Sequence, residues 1–228
     1  MSNPPILKTI AVLGGTGKEG KGLAFRWAKA GYLVLIGSRT PEKARATAVE
    51  LASLLGGQVA IEGTSNLTAA QRADIVALTV PYHAHRETLE TIKDALKGKI
   101  LIDVTVPLVP PNVSKVQMPP AGSAAQEALE ILGEEVQVTS AFQNISHEHL
   151  LLDGQVDSDV MVTGTSKEAR SETLKLVAAV GLTGWDAGPI ENSVVVEGMT
   201  SVLIGINKQY GIKSAGIRII GVQALAHE

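Results

Sequence analysis

The chain has 228 residues, 45% of them hydrophobic and only 3% aromatic, with a formal net charge of −3. That length buries enough surface to fold without cross-links, and the small net charge argues against a nucleic-acid or membrane-surface partner. The chain has no cysteine, which excludes disulfides, thiolate catalysis and cysteine-ligated metals, and no run of about 18 apolar residues to span a bilayer.

Residues Met1 to Lys8 lack the basic and apolar regions of a signal peptide, so a cytoplasmic protein is expected. The first strand is Ile10 to Leu13, and it stops at a glycine turn reading G-x-G-x-x-G at Gly15, Gly17 and Gly20. A helical pattern follows at once, with Leu23, Ala24, Trp27 and Ala30 on one face and Gly31 at its end. Strand, glycine turn and helix in that order are the context of a dinucleotide fingerprint. Gly15 is expected to permit the tight turn, Gly17 to admit the pyrophosphate and Gly20 to let helix and strand pack closely. Thr16, Lys18 and Glu19 lie inside the same turn and are assigned with it to the cofactor. The phosphates would rest on the open N–H groups of the helix start.

The second strand, Leu33 to Ile36, ends in Gly37-Ser38-Arg39-Thr40-Pro41-Glu42-Lys43. An NAD site usually places an acid at this strand end. Ser38 and Arg39 stand there instead, with Lys43 in the first turn of the helix that Thr40 and Pro41 begin. Donors and positive charge suit a 2′-phosphate, so the expected cofactor is NADP.

Further along, Gln58 to Ile61 reads as a third strand and Ile75 to Val80 as a fourth, ending at Pro81. Ala84 to Leu96 is a helix stopped by Gly98, and Ile100 to Val106 is a fifth strand. Pro107 to Gly122 is a proline-rich loop, and a loop of that length is commonly functional. Ser123 to Leu132 is a helix and Val136 to Phe142 a sixth strand. Beyond about Asp153 the pattern changes. Asp159 to Val162 and Thr183 to Ala187 are strands, the second broken by Gly188-Pro189, and Lys167 to Val180 is an amphipathic helix. Asn192 to Tyr210 is a nearly apolar helix carrying only Glu197 and Lys208 as formal charges, and Ile217 to Val222 is a final strand. The alternation gives an α/β, Rossmann-type parallel sheet with helices on both faces. It divides as residues 1–152, an NADP-binding domain, and residues 153–228, a small C-terminal α/β subdomain for substrate and dimerisation. A helix apolar on all sides is buried on all sides, which points to a homodimer.

Ligands of such sheets bind beyond the carboxyl ends of the strands. Val80, Pro81, Ala141 and Ile145 there offer surface for the nicotinamide but no general base. No Tyr-x-x-x-Lys pair occurs, since Tyr32, Tyr82 and Tyr210 lack Lys four residues on. No catalytic residue is therefore assigned, which favours a hydride partner that handles its own proton, such as a flavin-like ring. His83 and His85, and His147 and His149, are spaced two apart, but no third ligand stands at a fixed spacing and no metal is expected. Trp27 and Trp185 read as core anchors.

These residues resemble the F420H2:NADP oxidoreductases, reductases that use the deazaflavin coenzyme F420. The resemblance covers nearly the whole chain. It begins at Leu13-Gly-Gly-Thr-Gly-Lys-Glu-Gly-Lys-Gly-Leu-Ala24, continues through Gly37-Ser-Arg39 and Thr79-Val-Pro81, and resumes at Ser140-Ala141. Its most specific part is Asp186-Ala-Gly-Pro189 followed by Asn192-Ser193, Val196-Glu197 and Met199-Thr200. The resemblance implies that Thr16, Ser38, Arg39 and Lys43 hold the 2′-phosphate and that Ile145 touches the nicotinamide. It also implies that Gln143, His147 and Thr200 face the deazaflavin. Gln143 replaces a histidine of the family pattern, Gly198 a serine and His147 a small residue. The implied reaction is hydride transfer between NADP(H) and coenzyme F420. Reduction of another flavin or a small imine is the alternative among enzymes, and a non-catalytic NADPH sensor is the alternative outside them.

Overall fold

The computed structural model describes residues 8–151, 154 and 156–221. Eight strands form one sheet in the order β3-β2-β1-β4-β5-β6-β7-β8. They are β1 (Ile10–Leu13), β2 (Val34–Ser38), β3 (Ile61–Ser65), β4 (Ile75–Leu78), β5 (Ile100–Asp103), β6 (Gln137–Ser140), β7 (Asp159–Gly164) and β8 (Thr183–Pro189). The first six run parallel, β7 is antiparallel to β6, and β8 is parallel to β7. Strands β1, β2 and β4 are buried along their whole length, which is why they read as unbroken apolar runs.

Helices cover both faces. They are α1 (Lys18–Lys29), α2 (Pro41–Leu54), α3 (Asn66–Arg72), α4 (His85–Ile92), α5 (Ala124–Leu132), α6 (His147–Leu150), α7 (Lys167–Ala179) and α8 (Ser193–Tyr210). Alternate residues of β1 feed two cores. Ile10 and Val12 pack with Leu23, Trp27 and Leu51 on one face, and Ala11 and Leu13 pack with Ala69, Leu89 and Leu101 on the other. Trp27 is fully buried, donates from Nε1 to the Leu176 carbonyl at 3.1 Å and meets Phe142 edge-on with ring centroids 5.8 Å apart. Trp185 is only partly buried and donates to Asp159 Oδ2 at 2.7 Å.

Several expected elements move. The third strand begins at Ile61 rather than Gln58, because Gly56 and Gly57 spend residues on the turn and Val34 pairs with Ile61. The short helix α3, unanticipated from the sequence, starts immediately after it. The helix expected over Ala84 to Leu96 narrows to a 3-10 turn at Lys93–Leu96, and β5 and β6 stop earlier than expected. The final strand at Ile217 to Val222 does not form within the described residues, and Val222 lies outside them. Its backbone is taken up otherwise, with Ile217 N–H on Ser158 Oγ, Asp159 N–H on the Ile217 carbonyl and Ile219 N–H on Asp159 Oδ2. The boundary expected at residues 152 and 153 falls on residues outside those described; β7 and β8 continue the same sheet. No helix among the described residues is long and apolar enough to cross a membrane.

Candidate functional site

Where β1 and β4 lie side by side the chain changes direction across the sheet, and a cleft opens over the carboxyl ends of the strands. Its volume is about 960 Å³. The turn after β1 forms one end. Gly14, not Gly15, takes the left-handed conformation there, with φ of +75°. Gly15 is needed for a different reason. A Cβ on it would lie 2.7 Å from the Val12 carbonyl oxygen, and its N–H is already spent on the Gly37 carbonyl at 3.1 Å. At Gly20 a Cβ would fall 2.4 Å from Thr79 Oγ1 and 2.8 Å from Gly15 Cα, so the close approach of α1 requires glycine, as expected. Gly17 is the N-cap of α1 and offers no side chain, which leaves the first N–H groups of the helix for a ligand.

At this end Thr16, Gly17, Lys18, Glu19, Ser38, Arg39 and Lys43 all line the cleft. Lys18, Arg39 and Lys43 have no ion-pair or hydrogen-bond partner among the described residues. Ser38 Oγ accepts from the Thr40 N–H at 3.1 Å, which keeps the turn between strand and helix tight. Pro41 opens α2 as expected, although the Thr40 side chain makes no capping bond. Asn66 also lines this end and accepts from the Gly14 N–H at 3.4 Å; it went unnoticed in the sequence because α3 did. Glu19 is partly buried, and its Oε1 is enclosed without a partner among the described residues. Burial pushes its carboxyl up to about 8.

The other end is built from the ends of β4, β5 and β6, the proline-rich loop and α8. Val80, Pro81, Gln143, Ile145, His147 and Thr200 line it, so these residues converge on one cavity. Leu108, Pro110 and Val113 bring the proline-rich loop to the same wall. Ala141 lies beneath the lining, fully buried, with its N–H on the Asp103 carbonyl at 3.3 Å. Phe142 lines the cleft at a φ of +75°, a strained conformation for an aromatic residue, and it turns the segment toward α6. Gln143 donates from Nε2 to the Asp103 carbonyl at 2.7 Å and to Ser140 Oγ at 2.8 Å. Asn144 donates from Nδ2 to the Val196 carbonyl at 3.0 Å and to Thr200 Oγ1 at 3.1 Å, while the Thr200 hydroxyl donates to the Gln143 carbonyl. Those bonds orient both amides and leave Gln143 Oε1 and Asn144 Oδ1 without partners among the described residues.

Beneath this floor lies a polar cluster missed in the sequence. His85 Nε2 sits 2.6 Å from Asp103 Oδ2, both side chains fully buried. Burial opposes the charged imidazole, but the Asp103 carboxylate and its hydrogen bond outweigh it and hold His85 above its ordinary value. Glu197, from α8, accepts from the N–H groups of Ala124 at 2.7 Å and Ala125 at 3.1 Å, completing the start of α5 beside the Ser123 cap. Burial and the nearby Asp103 push Glu197 up to about 8, against those two N–H groups and His85. Tyr82 donates to Glu127 at 2.9 Å, and burial with that bond raises its phenol to about 12, so it stays protonated. An acid inside the run Ile100 to Val106, and another inside the apolar helix, were the visible signals. His83 lines the cleft, whereas His85 points into the cluster, so that pair does not face one ligand. Among the described residues no three His, Asp or Glu side chains converge on a metal-sized site.

The chain is similar to known proteins over nearly its whole length. Residues 9–107 match the family model described as NADP oxidoreductase, coenzyme F420-dependent. Over 222 residues the chain is 39% identical to the F420-dependent NADP reductase of Methanocaldococcus jannaschii, covering 94% of this chain and 99% of that one. It is also 39% identical to the enzyme of the same name from Methanothermobacter thermautotrophicus, over 92% and 94% of the two chains. Among solved structures, a putative F420-dependent NADP reductase from Arthrobacter sp. FB24 superposes with a TM-score of 0.76 at 24% identity, covering 92% of this chain and 98% of that one, a likeness of fold.

Proposed function

The chain belongs to the family of F420-dependent NADP reductases, and on that premise we propose that its cleft passes a hydride between NADP(H) and coenzyme F420. The observation that carries this reading is the polarity of the cleft. Lys18, Arg39 and Lys43, none of them paired among the described residues, surround one end with Ser38, where an acid would stand in an NAD site, and Val80, Pro81, Leu108 and Ile145 give the middle apolar walls. The donor set fits NADP. Arg39 and Lys43 would grip the 2′-phosphate with Ser38 and Thr16, and the open start of α1 would take the pyrophosphate. Val80, Pro81 and Ile145 would flank the nicotinamide, and Thr200, Gln143 and His147 the deazaflavin. The unpartnered Gln143 Oε1 and Asn144 Oδ1 support this placement, since both are acceptors in lining residues that need an N–H donor.

Bound NADP(H) would supply or take the hydride at the nicotinamide and the deazaflavin would exchange it. Val80, Pro81 and Ile145 would hold the one ring against Thr200, Gln143 and His147 on the other, and their side chains would keep water out of the cleft. Alignment of that kind contributes up to about 7–11 kcal/mol in well-positioned cases. We place the enzyme in the cytoplasm as a homodimer formed through α8, whose Val194, Val195 and Val202 remain exposed in the single chain. The test is optical: NADPH added to purified protein and coenzyme F420 should bleach the deazaflavin absorbance with multiple turnovers. A protein that binds NADPH yet turns over no deazaflavin would overturn the reading.

A further inference from the structure

Cations without a partner among the described residues line the cleft at both of its ends. Lys18, Arg39 and Lys43 belong to the end formed by β1, α1, β2 and α2, and Lys213 lines the cleft with Asn207 and Ala215 from the segment that is fastened to Ser158 at the start of β7, on the far side of the sheet from β2. Lys213 has no ion-pair or hydrogen-bond partner among the described residues, whereas Lys8, Lys21, Arg72 and Arg170 are each paired with a carboxylate. Glu19 is the one carboxylate among the lining residues, and it belongs to α1, at the nucleotide end. Among the described residues, nothing acidic in the lining neutralises Lys213.

The backbone that carries it is tied down. Gly211 ends α8 in the left-handed conformation, and the Ile212 N–H returns to the Asn207 carbonyl at 3.1 Å. The Asn207 side chain then accepts from the Ala215 N–H at 2.9 Å, and Ile217 is fastened to Ser158 and Asp159. The turn bearing Lys213 is therefore anchored on both sides, beside apolar walls from Leu203, Ile204 and Val113.

A cleft with cations at both ends and an apolar middle fits two flat rings whose anionic groups lead away in opposite directions. Coenzyme F420 has that form: its ring system carries a ribityl chain, then a phosphodiester and glutamyl carboxylates. We infer that Lys213 binds the anionic side chain of the deazaflavin substrate and so distinguishes the intact coenzyme from a ring-and-ribityl core that lacks the phosphodiester and the carboxylates. The inference rests on the proposed function and names the part of the substrate that this end of the cleft selects.

The test compares both acceptors, intact coenzyme F420 and the core lacking phosphate and glutamates, with the full-length enzyme and saturating NADPH. Lys213→Ala should raise the ratio of the KM for the intact coenzyme to that for the core by about five- to tenfold at low salt. Lys213→Arg should restore most of the ratio, and added salt should shrink the difference between wild type and Lys213→Ala. Equal changes in KM for both acceptors, or none for either, would overturn the inference and leave the proposed function standing. Reduction of neither acceptor by the wild-type enzyme would overturn the function, and the inference with it.

Discussion

Arg39 stands at the end of β2, lines the cleft and has no partner among the described residues. Its guanidinium is thus available to a 2′-phosphate, and a lost charge-assisted bond costs about 1.5–3 kcal/mol. Arg39→Ala should weaken NADPH binding by about ten- to a hundredfold and leave NADH nearly unchanged, measured by titration of cofactor fluorescence. An equal loss for both cofactors would remove Arg39 from the phosphate site. Glu19 makes the opposite kind of prediction. Burial raises its carboxyl from 4.5 to about 8, so the folded protein keeps a proton that the unfolded chain has released. Stability is then fully present below the unfolded value and is lost as pH rises through the folded one. Glu19→Gln should leave the melting temperature unchanged at pH 4 and raise it increasingly from pH 5 to pH 8. The gain is on the order of 1–3 kcal/mol, reduced because part of the side chain faces the cleft. A melting difference that stays flat across that range would show that Glu19 is not held protonated.

The packing of α1 against β1 allows no side chain at Gly20, where a Cβ would strike both Thr79 Oγ1 and the Gly15 backbone. Gly20→Ala should destabilise the fold by about 1–3 kcal/mol in chemical denaturation and weaken NADPH as the helix start shifts. An unchanged midpoint would mean that α1 moves outward at no cost. This helix, like β1, β2 and the order of elements around them, was legible in the sequence because glycine spacing and apolar runs are local signals. So was one whole end of the site: Ser38, Arg39 and Lys43 lie within a few residues of one strand end. The other end was only partly legible. Gln143, Asn144 and Ile145 could be placed by their position just past a strand end, and His147 and Thr200 by family resemblance, while Asn66 and Lys213 depend on segments brought together only by the fold. Periodicity could not reveal α3, which is seven residues long and starts directly from β3. Nor could it show that Ser158 and Asp159 would capture the backbone of Ile217 and Ile219 in place of a strand ladder.

Helix α8 takes part in two surfaces at once. Its inner side holds Thr200, Leu203 and Asn207 toward the cleft and Glu197 under the floor, while Val195 and Val202 on the outside remain exposed. An exposed apolar strip beside the reaction cleft is the basis for the proposed dimer. Light scattering at micromolar concentration should give twice the chain mass, and Val195→Glu with Val202→Glu should convert it to monomer while the melting transition remains cooperative. A wild-type monomer at that concentration would rule the arrangement out. The bond from Glu197 to the start of α5 spans 73 residues of sequence. It has a consequence for the order in which the molecule is made. The lining of the nucleotide end comes from residues 14–66, whereas Ala124 and Ala125 wait for a carboxyl group that emerges only with α8. During synthesis, then, the lining of one end is made long before the helix that walls the other, yet α1 gains its bonds to Leu150, Leu176 and Val180 only as the later half arrives, so the two ends of the cleft reach their final form together.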